Sequence, residues 1–206
     1  HDLYPDRHDT LADIFKACTA AGNPNRPFFF ASTSKITFPG AGVAVMAASQ
    51  ENLKQILPII SAQTIGFDKL NQLRHVRYFK NAENIRTHMQ KLAEKLRPKF
   101  DLTHEILERD LIPAGIAHWT RPLGGYFISL FVLPGTAKRT WTLCREAGVT
   151  MTNVGATYPY RLDPDDSNIR IAPTYPSLEN LEAAMCILTL CARIAALEKL
   201  TGAAEA

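Results

Sequence analysis

A chain of 206 residues, 46% hydrophobic and 21% charged, is long enough to bury a good core, in one large domain or two small ones. The net charge of +3 is mild and no basic run exceeds a solvated helix face, so nucleic acid is not an expected partner. No apolar stretch reads as long enough to span a membrane and no signal peptide is visible, so no membrane partner is expected either.

The elements follow in chain order. Leu11, Ile14, Phe15, Cys18 and Ala21 keep helical spacing until Gly22-Asn23-Pro24 stops them. Pro27 to Ala31 and Val43 to Ala47 are continuous apolar runs, read as strands buried on both faces. Ser49 caps a helix near 50–63, with Pro58 inside it. From Gly66 a helical stripe continues to Arg97-Pro98, as one long helix or two in series. Beyond 99 the pattern becomes α+β. It predicts a helix near 101–111, strands near 116–119 and 125–132, a helix near 136–147 and a strand at 149–152. A short strand at 168–173 and a final helix from Ser177 to about Leu200 follow. The four cysteines, Cys18, Cys144, Cys186 and Cys191, lack CxxC spacing and lie in apolar helical contexts. They read as buried reduced thiols, which points to a cytoplasmic compartment. The six histidines show no metal spacing, so no metal is expected. The chain opens on His1 in a turn-like setting, the sign of a processed chain or of a piece of a longer one.

Ser32-Thr33-Ser34-Lys35, followed by Pro39-Gly40, carries the chemistry. A lysine just past a buried strand is poorly placed as a solvated charge and well placed to bind a carbonyl. Desolvation favours its free amine, the form that makes an imine. Neighbouring hydroxyls suit phosphate oxygens, and the combination is the chemistry of pyridoxal 5′-phosphate. A polar turn with an exposed Lys35 explains the same residues. So does a Ser-x-x-Lys acyl-transferring enzyme, although that motif opens a helix and Pro39-Gly40 argues against one here. Arg170, between Ile169 and Ile171, faces away from both, either as a surface charge or as a carboxylate clamp in a cleft. Gly124-Gly125, before Tyr126-Phe127, permits a bulge or a close backbone approach to a ligand, or is an ordinary turn into a core strand.

In this order the motifs resemble the C-terminal half of a fold-type I, pyridoxal-phosphate-dependent aminotransferase of class I/II. The set comprises Ser32 to Lys35 with Pro39-Gly40, a long helix, Gly124 to Phe127 and Asn168 to Ala172. Leu133 to Arg139 and Glu146 to Pro176 look most like a bacterial aspartate aminotransferase subgroup. The resemblance implies an α/β fold: the end of a mainly parallel large-domain sheet over residues 1–85, then a small α+β domain over 86–206. It implies that Lys35 holds the cofactor and shuttles a proton, that Ser32 and Ser34 bond the phosphate, and that Arg170 clamps the substrate carboxylate. The substrates would be an amino acid and a 2-oxo acid, and the full-length enzyme a homodimer. Where the family has a phosphate-binding arginine, seven residues past the lysine, this chain has Gly42. The groups that hold the cofactor ring have no match in the residues before Lys35, and Tyr4 is not assigned to that role. A 206-residue chain without them is expected to bind cofactor weakly or not at all. The other reading is a degenerate, non-catalytic relative acting as an interaction module. Arg74, Arg77 and Arg161 remain unranked candidates for a second carboxylate.

Overall fold

A computed structural model describes residues 2–4, 7 and 9–202; the turn-like opening at His1 lies outside them. The described chain divides into two compact units, one of residues 9–90 and one of residues 2–4 and 7 with 91–202.

The first unit begins with α1 (Ile14–Ala20), capped by the Asp13 carboxylate, which accepts from the amides of Phe15 and Lys16. Strands β1 (Phe28–Ser32) and β2 (Ala44–Ala48) pair from Phe28 with Ala48 to Ser32 with Ala44. The pairing is antiparallel. The connection, residues 33–43, is shorter than the dozen or more a parallel crossover requires, so these two strands by themselves form no parallel ladder. The expectation that both are buried is also corrected. Every residue of β1 is exposed, Phe30 to 72%, because a two-stranded ribbon covers neither of its own faces. Ser49 caps α2 (Gln50–Gln63), which runs through Pro58. Asp68 caps α3 (Lys69–Phe79).

The long helical stripe is broken at a different place from the one expected. Lys80, at φ 64°, ends α3, and the Asn81 side chain caps the next helix by accepting from the Asn84 amide at 2.9 Å. That helix, α4 (Ala82–Leu111), then continues through Pro98 and absorbs the separate helix expected at 101–111. Proline costs a helix one hydrogen bond and a local clash. The packing of Phe100, Ile106, Leu107 and Leu111, all at most 1% exposed, outweighs that cost.

The second unit is built on an antiparallel sheet in the order β3-β4-β5: β3 (Ala117–Trp119), β4 (Ile128–Val132) and β5 (Asn168–Ile171). Along β4 the burial alternates, with Ile128, Leu130 and Val132 in the core and Ser129 and Phe131 half-exposed. Helices α5 (Ala137–Glu146) and α6 (Leu178–Thr201) pack together and complete the core with Ala137, Cys144, Leu181, Met185, Leu188 and Ala192. By length and composition α6 is apolar enough to cross a membrane, contrary to the reading of its sequence. Here it contributes core residues along its length. Cys144 and Cys191 are buried together, and burial with the neighbouring thiol pushes Cys144 up; Cys18 and Cys186 are half-buried. Residues 149–152 form no strand. The Val149 amide closes the end of α5 on the Cys144 carbonyl at 2.8 Å instead of joining a ladder.

The start of the chain also belongs to this unit. Leu3 is fully buried, its amide donates to the Leu123 carbonyl at 2.7 Å, and Asp2 bridges Gly124. Gly124 takes this bridge, while the space around Gly125 is open. The Arg97 Nε donates to the Leu3 carbonyl at 2.8 Å, and the Tyr4 hydroxyl donates to Asp101 at 2.6 Å. Burial, then that bond, push the Tyr4 phenol up to about 12.

Candidate active site

The predicted residues fall in both units, and each half has its own construction. In the first unit β1 delivers the chain into a tight loop. The loop closes at its neck, where the Thr33 amide donates to the Val43 carbonyl and the Val43 amide donates to Thr33 Oγ1, both at 2.9 Å. Inside the neck, the amides of Ile36 and Thr37 donate to the Thr33 carbonyl, at 2.8 and 2.9 Å. Residues 34–36 are therefore a turn, and the segment opens no helix of the kind a Ser-x-x-Lys nucleophile requires. Ser32 Oγ accepts from the Ser34 amide at 3.1 Å, which leaves its proton available to an outside acceptor.

Ser32, Ser34 and Lys35 are all exposed on this turn. The desolvated surroundings expected for Lys35 are not supplied by its own unit, for the same reason that β1 is uncovered. The donor set of two hydroxyls and an amine fits a phosphorylated aldehyde on one side. Gly42 fits the loop for a different reason from any contact with phosphate. A Cβ there would stand 3.0 Å from both the Cα and the backbone N of Ser34, so a side chain at residue 42 would press on the serine backbone where the loop folds back.

What holds this loop from behind has no sign in the residue spacing. Thr37 Oγ1 lies 3.0 Å from Thr33 Oγ1 and 2.8 Å from His75 Nε2, and His75 Nδ1 lies 2.9 Å from the Asn71 carbonyl. The Asn71 amide group donates to the Ala41 carbonyl at 2.9 Å. Phe38 packs edge-on to His75 and Tyr78. Only tertiary folding brings α3 to the loop, so spacing carries no sign of these contacts. Of the candidate arginines, Arg74 lies on α3 with its guanidinium 6.0 Å from the Phe38 ring, and Arg77 lies on the same helix.

In the second unit, β5 places Ile169 and Ile171 in the core, 1% and 6% exposed, and turns Arg170 to the opposite face. The strand's start is fixed by Asp163, which accepts from the amides of Asp165, Ser167 and Asn168 at 3.2, 2.8 and 2.7 Å. Burial alone would push the Asp163 carboxyl up; the three amides outweigh it and hold the carboxyl below its ordinary value. Asn168 then bonds across to Ser129 Oγ at 2.7 Å and accepts from Thr157 at 2.7 Å.

The Arg170 guanidinium lies 4.6 Å from the centre of the Phe127 ring, and its Nη2 donates to Thr152 Oγ1 at 3.0 Å. Arg170 and Thr152 line a cavity of about 770 Å³ whose other walls include Met151, Ile171, Tyr175 and Leu188. Arg161 lies on a single 3₁₀ turn with φ 60°, beside Tyr160 at φ 57°. His118 is stacked on Phe131, and Trp119 donates to His104 Nδ1 at 3.1 Å; both are packing roles.

The profile of the aspartate amino-transferase family matches residues 1–204. An aspartate aminotransferase of Corynebacterium glutamicum is 48% identical over 193 residues, 94% of this chain and 45% of its own length. A Mycolicibacterium smegmatis protein carrying a provisional aminotransferase name is 53% identical over 190 residues, 92% of this chain and 44% of its own. The crystal structure of an aspartate transaminase from C. glutamicum superposes with a TM-score of 0.89 at 47% identity, covering 97% of this chain and 47% of that one. The α/β fold is that of the C-terminal portion of aminotransferase structures. The chain spans less than half the length of the curated relatives it matches. On the profile match and these identities together, the chain belongs to the aspartate amino-transferase family.

Proposed function

We propose that this chain is the catalytic-lysine and small-domain portion of a pyridoxal-phosphate-dependent amino acid:2-oxo acid aminotransferase, of aspartate type. The observation that carries the reading is the family match over residues 1–204, with Lys35 placed on one turn beside two serine hydroxyls. Pyridoxal 5′-phosphate, when bound, supplies an electron sink for the substrate α-carbon. Lys35 would hold the cofactor through its amine and would carry the substrate proton as a positioned acid and base. Ser32 and Ser34 donate to the phosphate oxygens, and Arg170 takes the substrate α-carboxylate through its planar fork.

Residues 1–85 complete the cofactor-binding domain in this reading, and residues 86–206 form the small domain. The division of the described chain near residue 90 supports that partition from residue 9 onward, whereas residues 2–4 and 7 group with the second unit. We take the working enzyme to be a cytoplasmic homodimer. Exposed apolar side chains on the first unit, among them Val45, Ile59, Phe67 and Leu70, support burial against further protein.

Gly42 favours a second reading, a non-catalytic relative, because it stands where the family has its arginine and a side chain there would crowd the Ser34 backbone. Adding pyridoxal phosphate to the complete product of the gene separates the two. The aminotransferase reading expects a cofactor absorption band that disappears in Lys35→Ala, and amino transfer from aspartate to a 2-oxo acid. The 206-residue chain alone is expected to give a weak band or none. Absence of any lysine-dependent band in the complete product would leave the non-catalytic relative.

A further inference from the structure

We infer that Thr152 and Phe127 are positioning residues for Arg170, fixing its guanidinium so that a carboxylate is received on the Nη1–Nη2 edge. The choice of edge rests on the aminotransferase reading of Arg170; the positioning does not.

The register of the sheet sets the geometry. Ser129 stands opposite Arg170, so Phe127, two residues earlier on the same face, is the diagonal neighbour of the arginine. Its ring therefore meets the guanidinium at 4.6 Å and fixes the guanidinium's height above the sheet. Thr152 Oγ1 fixes the rotation by accepting from Nη2 at 3.0 Å. A face and an edge held at once define the orientation of a planar group.

Two other arginines of the chain show what is unusual here. Arg139 takes Glu198 through Nε and Nη2, both at 2.7 Å, and Arg109 takes Asp110 through the same pair at 2.7 and 3.0 Å. That side edge is the one both choose. At Arg170 it is closed: Nη2 already has Thr152, and Nε is buried with no hydrogen-bond partner among the described residues. A buried donor without a partner persists only where its surroundings over-determine it. A carboxylate reaching Arg170 is therefore left with the end of the fork, Nη1 and the second proton of Nη2. The segment 149–152, expected as a strand, is instead irregular chain outside any ladder, and Thr152 meets the arginine from it.

The test observes the guanidinium directly. In ¹⁵N-labelled protein the Arg170 Nε–H resonance, assigned by its loss in Arg170→Lys, is expected to exchange slowly with water and to carry a ring-current shift. Thr152→Val should accelerate that exchange about tenfold or more, as expected for loss of a hydrogen bond to a charged group, and Thr152→Ser should restore it. Phe127→Leu should abolish the shift, whereas Phe127→Tyr should keep it. In the complete enzyme Thr152→Val should raise KM for the amino acid about tenfold with little change in kcat, the mark of lost ground-state orientation. Native-like Nε–H protection in both Thr152→Val and Phe127→Leu, with folding verified by circular dichroism, overturns the proposal. Succinate is the probe for the edge. A shift of the Nη signals that leaves Nε–H protected supports the assignment, and loss of Nε–H protection on binding overturns it. If the variants behave as expected but succinate moves nothing, the positioning stands and the aminotransferase reading of Arg170 fails.

Discussion

Strands β1 and β4 are both five residues long and similarly apolar, Phe-Phe-Phe-Ala-Ser against Ile-Ser-Leu-Phe-Val, yet their surroundings differ. β4 alternates, and its inward side chains are at most 4% exposed; β1 is continuous, and every residue is exposed. Alternation marks a strand with one face to cover, and this chain covers it with α4, α5 and α6. A continuous run marks two faces to cover, and nothing in a two-stranded ribbon can do that. Apolar composition measures how much a strand can bury, and the pattern tells how many layers must be present for the burial to occur.

Mutations can break this contrast. Leu130→Ala, at a position fully buried, is expected to destabilise the second unit by about 3 kcal/mol. Phe30→Ala in β1 should cost less than about 1 kcal/mol, because little area is lost from an exposed site. Urea unfolding followed by tryptophan fluorescence measures the first effect without interference, since both tryptophans, Trp119 and Trp141, lie in the second unit.

The next largest effect concerns the Lys35 loop. Gly42→Arg is expected to cost about 1–3 kcal/mol by forcing a Cβ against the Ser34 backbone. It should not tighten the binding of pyridoxal phosphate. Faster hydrogen exchange at the Val43 amide, which closes the neck of the loop, is the measurement.

Two pH effects are smaller. The Asp163 carboxyl is held below its ordinary value, so the stability it contributes is present above its unfolded value, near 4, and is lost as pH falls through the folded value. The urea midpoint of the native chain should therefore drop more than that of Asp163→Asn as pH is lowered below about 4. Burial, then Arg121, hold His104 below its ordinary value, and Trp119 donates to its bare Nδ1. Protonation is thus disfavoured in the folded state. Stability is full above about 6.5 and declines as pH falls through the window down to the folded value. A change in Trp119 emission across that window, absent in His104→Gln, is the expected signature.

Local chemistry was legible in the sequence wherever it was sufficient. Ser49 and Ser177 cap the helices they precede, and Arg170 turns away from its flanking isoleucines. The lysine turn could be read from its hydroxyls and Pro39-Gly40. What was not legible required partners distant along the chain. Pro98 stays helical because of Phe100 and Ile106, and the 149–152 segment stays out of the sheet because the Val149 amide is already taken. His75 and Thr152 reach their loops through packing, which leaves no spacing to detect. Gly42 is informative only once the distance to Ser34 is known.

The burial of Leu3 has a consequence for how the protein is made. Its backbone is held by the Leu123 carbonyl and by Arg97, the latter 94 residues further along. During synthesis Leu3 must wait, exposed, while residues 9–90 are made and the far side of its pocket emerges. Two stretches separated by a whole compact unit then have to meet before the second core can close. Long-range closure of this kind slows folding and prolongs the exposure of apolar surface. The second unit should accordingly be the later of the two to mature, and the one more dependent on protection from aggregation while it does so.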